Sequence, residues 1–311
     1  MNRTTTLPSL AFPPTSNANT LTQTGSHNSE HRFSSQLRMN FDCECKTIWL
    51  SWAPCPRPCF NSELLTEIAE FTDCMRQTKG SFPYAVPDCA YVVLASDIPG
   101  IFNTGGDLDL FIRLIETQDR AGIVAYGKIC IDVLHAFYNS FDRQLTTIAL
   151  IQGRCFGGGF ESALACDIRV AERSAVFCFP EHLFGLWPGM GAWSFLLRKP
   201  GGQGLIDLLT LGKRYSAHEM QKLGLVDVVV EDGTGRDALQ EMLQDDAVLQ
   251  RIRSEKTRID FDELWMSINI WATCALKLTA TNRKLMRRFV GGQNQLITRG
   301  EREDQPYRKS S

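Results

Sequence analysis

No run of eighteen or more apolar residues occurs in this 311-residue chain, so no segment is predicted to span a membrane. Nor does either charge dominate. The 33 basic residues stand against 35 acidic ones, and no basic stripe gathers along any segment. Phosphate-backbone binding needs such a stripe, which excludes nucleic acid as a partner. A secretory h-region is missing as well. The eleven cysteines therefore read as reduced thiols of a cytoplasmic protein rather than as a disulfide framework. Cys130, Cys155, Cys166 and Cys178 sit inside apolar patterns, where cysteine behaves as a small buried hydrophobe. Cys43, Cys45, Cys55 and Cys59 do cluster, but C-x-C followed by C-x₃-C departs from the repeated C-x₂₋₄-C of a zinc site, and no metal is expected.

Acid is scarce in residues 1–38, where Glu30 stands alone among Ser, Thr, Asn, Gln and Pro. That composition buries too little apolar surface to offset ordering entropy, and it predicts a disordered N-terminal tail. Its few arginines and broken amphipathicity argue against a transit peptide. Residues 298–311 read as a second polar tail. Between them, 39–297 are long enough for one α/β domain, with a helical C-terminal part from about 233.

Strand-like and helical patterns alternate through that domain. TIWLSW (47–52) alternates like a half-buried strand, whereas AYVVLA (90–95) and TIALIQG (147–153) read as fully buried ones. A helix is predicted from about Arg120 to Phe141, with a three-four spacing of Ile123, Tyr126, Cys130, Val133, Leu134, Phe137 and Phe141. IRVA (168–171), AVFCF (175–179) and LVDVVV (225–230) add strands. A long helical pattern from Asp262, taken as its N-cap, reaches Phe289. This alternation predicts an α/β fold.

Two glycine turns carry candidate chemistry. Gly157-Gly158-Gly159-Phe160-Glu161 follows a buried strand and opens a helix, aiming free amides and a positive helix end at one spot. Neither G-x-G-x-x-G nor the P-loop lysine pattern is present, so no nucleotide cofactor is expected. FNTGGDLDLF (102–111) is a second such turn. Facing one another, the two would hold a thioester oxygen that gains charge as an enolate forms. Glu161 lies close to the first turn. Glu181 lies twenty residues on, flanked by Phe177, Phe179, Phe184 and Trp187, a setting that raises a carboxyl toward the range of proton transfer near neutrality.

The stretch GGGFESALACDIRVAERSAVFCFPEHLFGLWPGMGA resembles the core signature of the crotonase (enoyl-CoA hydratase/isomerase) superfamily. FNTGGDL resembles that family's other turn, F-x-A-G-A-D, and LTLGKRYSAHEMQKLGLVDVVV its downstream segment. The resemblance spans roughly residues 47–230 and implies a spiral of repeated ββα units with a C-terminal helical region. Four further pieces, PCPRPCFNSELL, FNTGGDLDLFIRLIETQDR, LFGLWPGMGAWSFL and IWATCALKLTATNRKLMRRFVGGQNQ, are similar to the diffusible signal factor synthases, which make cis-2-unsaturated fatty acids for quorum sensing.

That branch implies dehydration of a 3-hydroxyacyl group on acyl carrier protein, then hydrolysis of the thioester. Residue by residue, it implies Gly106 and Gly158 as oxyanion donors, with Gly105 the alternative on the first turn. Glu181 would remove the C2 proton and Glu161 protonate the departing hydroxyl. Trp187, Met190, Trp271 and Leu276 would line or cover the acyl pocket. Thr104, where many hydratases have alanine, would narrow the space beside the thioester. The family further implies a homo-oligomer and, in this branch, a receiver-domain sensor kinase as partner.

Two other readings stand beside this one. A CoA-dependent enoyl-CoA hydratase or isomerase would use the same glutamates. CoA calls for basic residues near its phosphates, and 104–119 offers only Arg113 at the turn and its helix. A catalytically idle scaffold is disfavoured by the retention of both glutamates and both glycine turns.

Overall fold

A parallel strand buried on both faces reads as a continuous apolar run, and such runs occupy the middle of this molecule. The computed structural model describes residues 22–24, 28–32, 36–77, 89–253 and 256–303. β1 (Thr22–Thr24), β2 (Asn28–Arg32), β3 (Leu37–Asp42) and β4 (Thr47–Trp52) form an antiparallel meander, followed by α1 (Ser62–Gln77). Next come β5 (Tyr91–Ser96), β6 (Ile101–Asn103), α2 (Leu108–Glu116) and α3 (Arg120–Tyr138). β7 (Thr146–Ile151), β8 (Arg154–Phe156) and α4 (Gly158–Ala165) repeat that pattern. So do β9 (Ile168–Glu172) and β10 (Val176–Cys178), ahead of α5 (Ala192–Leu197) and α6 (Gly202–Leu209). β11 (Tyr215–Ser216), α7 (Ala217–Lys222) and β12 (Val228–Val230) follow. The last helices are α8 (Gly235–Leu243), α9 (Asp246–Ile252), α10 (Phe261–Ala275) and α11 (Ala280–Glu303).

The large sheet runs β1-β2-β3-β4-β5-β7-β9-β12, and a small one runs β11-β10-β8-β6. From β4 onward the large sheet is parallel, as are β6, β8 and β10 in the small one. Each of the pairs β5–β6, β7–β8 and β9–β10 therefore sends its first strand to the large sheet and its second to the small sheet before a helix returns. This is the repeated ββα spiral expected from the sequence.

Strand periodicity divides the core in two. Ile48, Leu50, Val92, Leu94, Ala149 and Ile151 face the main cluster under α1, α3 and α10. Trp49, Tyr91, Val93, Ile148 and Leu150 face a second cluster closed by Leu239, Leu243 and Leu249 of α8 and α9. TIWLSW differs from expectation here. All six residues are buried, because both faces of β4 are covered. α3 is the one described helix long and apolar enough to cross a membrane, and 56% of that stretch is buried inside the protein as its central helix.

Some boundaries also shift. Thr22–Thr24 and Asn28–Arg32, within the stretch expected to be a tail, are the two outermost strands at one end of the large sheet, and α11 runs to Glu303, past the expected domain limit at 297. The single helix expected from Asp262 is two helices, and its N-cap is Asp260, which accepts from the Asp262 amide at 3.2 Å. Thr279 and Asn282 make the break. Asn282 Oδ1 accepts from the Thr279 amide at 3.0 Å, and Thr279 Oγ1 accepts from the Asn282 amide at 3.2 Å. Reciprocal capping of this kind starts a new helix without glycine or proline.

Candidate active site

Parallel pairing in the small sheet assembles the site. Asn103 lies opposite Cys155 and Phe156 opposite Cys178, so the carboxyl ends of β6, β8 and β10 share one edge. Loops leaving such an edge are where α/β proteins place ligands. After β6 the chain turns through Thr104-Gly105-Gly106-Asp107 into α2. After β8 it turns at Gly157 into α4, and after β10 through Pro180 into a 3-10 turn, Glu181–Phe184.

The two glycine turns touch. Gly105 has φ +96°, and a Cβ there would lie 3.0 Å from the Gly158 nitrogen and 3.1 Å from the Phe156 oxygen. Gly157 has φ +51°, and its Cβ would lie 2.6 Å from Glu181 Oε1. Only glycine satisfies both the conformation and the approach. Asn103 Oδ1 accepts from the Gly105 amide at 2.8 Å, and Asp107 caps α2 by accepting from the Leu110 amide at 3.1 Å. Asp107 is itself held by Arg57 at 2.7 Å. Among the described residues no hydrogen-bond acceptor meets the amides of Gly106 and Gly158. Both glycines line one cavity of about 70 Å³.

Glu161 and Glu181 line the same cavity, amid Trp52, Phe60, Leu94, Val133 and Phe137. Glu161 is 1% exposed, and its Oε1 accepts from the Met190 amide at 2.8 Å and the Ala192 amide at 3.1 Å. Burial pushes its carboxyl up to about 7, while the amides of Ala192, Met190 and Gly191 pull the other way. Glu181 is pushed up to about 8, first by burial and then by the charge of Glu161. Its Oε2 is buried without a hydrogen-bond partner among the described residues. The amide donors stabilise the anion on Glu161, and Glu181 holds its proton more tightly. Both carboxyls are thus raised toward neutrality, Glu181 the further, which is the range in which a carboxyl can both take up and give a proton.

Of the other expected site residues, Trp187, Met190 and Trp271 line this cavity. Trp271 also donates its indole N–H to the Trp187 carbonyl at 2.9 Å and packs on Phe111 with ring centroids 5.1 Å apart. Thr104, Gly105 and Leu276 lie outside the lining. Thr104 faces a second cavity of about 440 Å³, and Gly105 supports the turn from behind. Leu276 caps the end of α10 and packs on the main core, so its expected place in the acyl pocket is corrected.

Sequence reasoning missed the amides of Met190 and Ala192, in and just after the Pro188-Gly189-Met190-Gly191 turn, as the partners of Glu161, although that turn is visible as a motif. It also read Tyr126 as plain core. Tyr126 lines the cavity, donates its hydroxyl to the Phe60 carbonyl at 2.5 Å, and accepts from the Asp107 amide at 3.2 Å. Only a tyrosine at a core-facing helix position hinted at this. Arg113, the one base counted near the turn, is spent on Asp109 at 2.5 Å. Three other arginines, Arg154, Arg214 and Arg288, line the second cavity, which adjoins the first at Leu108.

Comparison with known proteins agrees with this fold. The chain is 28% identical over 191 residues to probable enoyl-CoA hydratase 2, mitochondrial, of Arabidopsis thaliana, covering 61% of this chain and 58% of that protein. It is 34% identical over 140 residues to the fatty acid oxidation complex subunit alpha of Idiomarina loihiensis, covering 45% of this chain but 19% of that protein. The chain thus spans less than two thirds of either relative's length. Enoyl-CoA hydratase from Bacillus halodurans superposes with a TM-score of 0.60 at 20% identity, over 85% of this chain and 95% of its own. Pseudomonas aeruginosa DspI superposes with a TM-score of 0.54 at 22% identity, over 83% and 87%. At these identities the two structures establish the fold. The enoyl-CoA hydratase/isomerase family model matches residues 57–257, more than half of the sequence, and the chain belongs to that family.

Proposed function

We propose that this protein moves water across C2–C3 of a fatty acyl thioester and, acting on a 3-hydroxyacyl group, releases the free cis-2-unsaturated acid. The observation that carries the reading is one apolar cavity holding two glycine amides without an acceptor among the described residues, beside two glutamates whose pKa values are raised. The amides of Gly106 and Gly158 take the thioester oxygen and stabilise the charge that develops when the C2 proton leaves. Elimination requires one carboxylate to accept that proton and one carboxylic acid to protonate the departing 3-hydroxyl, giving the 2-enoyl thioester and water. We assign the first role to Glu181 and the second to Glu161, so the proton of the pair starts on Glu161. Hydration uses the reverse arrangement, with the proton on Glu181, and each turnover exchanges the two. In the hydrolytic step water adds to the thioester carbon, the C–S bond breaks, and the thiol leaves with a proton. The same two amides stabilise that tetrahedral oxyanion. The acyl tail runs toward Leu65, Ile68 and Leu134, where each buried methylene contributes about 0.8 kcal/mol.

A second reading, a CoA-dependent hydratase, draws support from the second cavity. Arg154, Arg214 and Arg288 line it, and no carboxylate does among the described residues. Phosphates of CoA and the single phosphate of a carrier-protein arm both suit that charge. The experiment is incubation with 3-hydroxyacyl and 2-enoyl thioesters of the same chain, on CoA and on acyl carrier protein, with mass spectrometry of the products. Free cis-2 acid formed from the carrier-protein substrate supports the first reading. Hydration of the CoA ester without acid release supports the second. Inertness toward every thioester overturns both.

A further inference from the structure

Gln293 on α11 is 6% exposed, and its hydrogen bonding is unbalanced. Its Nε2 donates to Thr104 Oγ1 at 2.9 Å and to the Thr104 carbonyl at 3.5 Å. The Thr104 hydroxyl proton is already committed to the Pro58 carbonyl at 2.7 Å. Both atoms that face the amide nitrogen are therefore acceptors, which fixes the orientation of the side-chain amide. Its oxygen, Oε1, is left buried with no donor among the described residues. A buried acceptor is costly to leave without a partner, so a donor is expected there in the working complex. Gln293 and Thr104 both line the second cavity, beside Arg154, Arg214 and Arg288. Thr104 stands two residues before the amide of Gly106, a reach of no more than about 7–8 Å along the chain.

We propose that Gln293 Oε1 accepts an amide N–H of the thiol arm that carries the acyl group. The inference rests on the acyl-thioester reading above and deepens it. In a pantetheine arm the first amide nitrogen is two carbons from the thioester sulfur, so a thioester held at Gly106 and Gly158 brings that N–H into the second cavity. The arginines further along that cavity meet the phosphate at the arm's other end. Because Gln293 also holds Thr104, binding of the arm is coupled to the turn that presents the Gly106 amide. The last helix thereby distinguishes acyl groups on an amide-bearing arm from acyl groups on a plain thiol.

The test compares two thioesters of one acyl chain, the N-acetylcysteamine ester, which has the amide, and the S-butyl ester, which lacks it. The wild-type full chain is expected to favour the amide-bearing ester by about tenfold or more in kcat/KM. Gln293→Leu is expected to bring that ratio near unity by slowing the amide-bearing ester about tenfold more than the S-butyl ester. Gln293→Met, closer in length, repeats the measurement if the leucine variant does not fold. A wild-type enzyme without the preference overturns the inference. So does a Gln293 variant that keeps it, or one that slows both esters equally, because Gln293 would then only brace Thr104. Failure of the wild type on both esters would instead bring down the acyl-thioester reading itself.

Discussion

Glutamine is nearly isosteric with glutamate, and at position 161 its side-chain oxygen keeps both amide donors, from Met190 at 2.8 Å and Ala192 at 3.1 Å. Glu161→Gln therefore removes charge and proton exchange with little change of shape. Activity is expected to fall by about 10²–10⁴. Stability is expected to move the other way. The Glu161 carboxyl is raised from an ordinary 4.5 to about 7 by burial. A raised carboxyl contributes stability that is fully present below the unfolded value and is lost as pH climbs through the folded one. Between those limits the unfolded chain has released a proton that the native protein still holds. At about 1.4 kcal/mol per pH unit, wild type loses on the order of 3 kcal/mol over that window. The glutamine variant avoids this loss. It also relieves Glu181, whose proton is held partly by the charge of Glu161. Melting curves of both proteins at about pH 5 and about pH 8.5 check the argument. The two should nearly coincide in acid, with the variant higher by roughly 5–10 °C in base. A difference in Tm that does not change with pH, or a wild type that gains on the variant as pH rises, would refute it.

Three further outcomes follow from the same geometry. Glu181→Gln should slow dehydration of a 3-hydroxyacyl thioester by at least ~10²-fold, and wild-type rates in that variant would remove Glu181 from the chemistry. Gly158→Pro sits at the first position of α4, where proline fits a helix. It deletes one oxyanion donor and should cost about 10²–10³ in kcat, so a folded and fully active variant would move the oxyanion hole elsewhere. Trp271→Ala should cost about 3–5 kcal/mol of stability, because the indole is 4% exposed and bonded to Trp187. It should also lengthen the preferred acyl chain, since Trp271 lines the cavity. A destabilised enzyme with an unchanged product profile would leave Trp271 as core alone.

Much of the fold was readable from local pattern. β5, β7, β9 and β10 were anticipated because buried parallel strands make apolar runs that neighbouring residues suffice to define, and β4 was anticipated from its alternation. Strands of the small sheet were harder. β6 and β8 are three residues each, too short for a period to show, and they look like the start of the loops they lead into. The break between α10 and α11 was invisible for another reason. It is made by the Thr279–Asn282 exchange of hydrogen bonds, and neither residue type announces a helix end by itself. β1 and β2, outermost in the large sheet, read TQT and NSEHR and offer no apolar run from which a strand could be inferred.

The candidate site divides along the same line. Gly106, Gly158, Glu161 and Glu181 could be picked out because each must lie at a fixed offset from its strand or helix, and offsets survive in sequence. What holds their chemistry in place comes from elsewhere in the chain. The anion on Glu161 is stabilised by amides 29 and 31 residues away. The oxyanion turn is braced by Tyr126, whose hydroxyl bridges Phe60 and Asp107, and by Gln293, which is 189 residues from the threonine it holds. Backbone amides have no residue code, and a buried Tyr or Gln reads as ordinary core or helix surface until its partner is known. Burial acts in the same hidden way. The property that makes the two glutamates useful, a proton held near neutrality, comes from the apolar walls built by Trp52, Phe60, Leu94, Val133 and Phe137. Most of those residues are remote from position 161 in sequence. In the proposed function the two carboxyls carry the proton transfers, and the packing of the whole domain sets the pH at which they can do so.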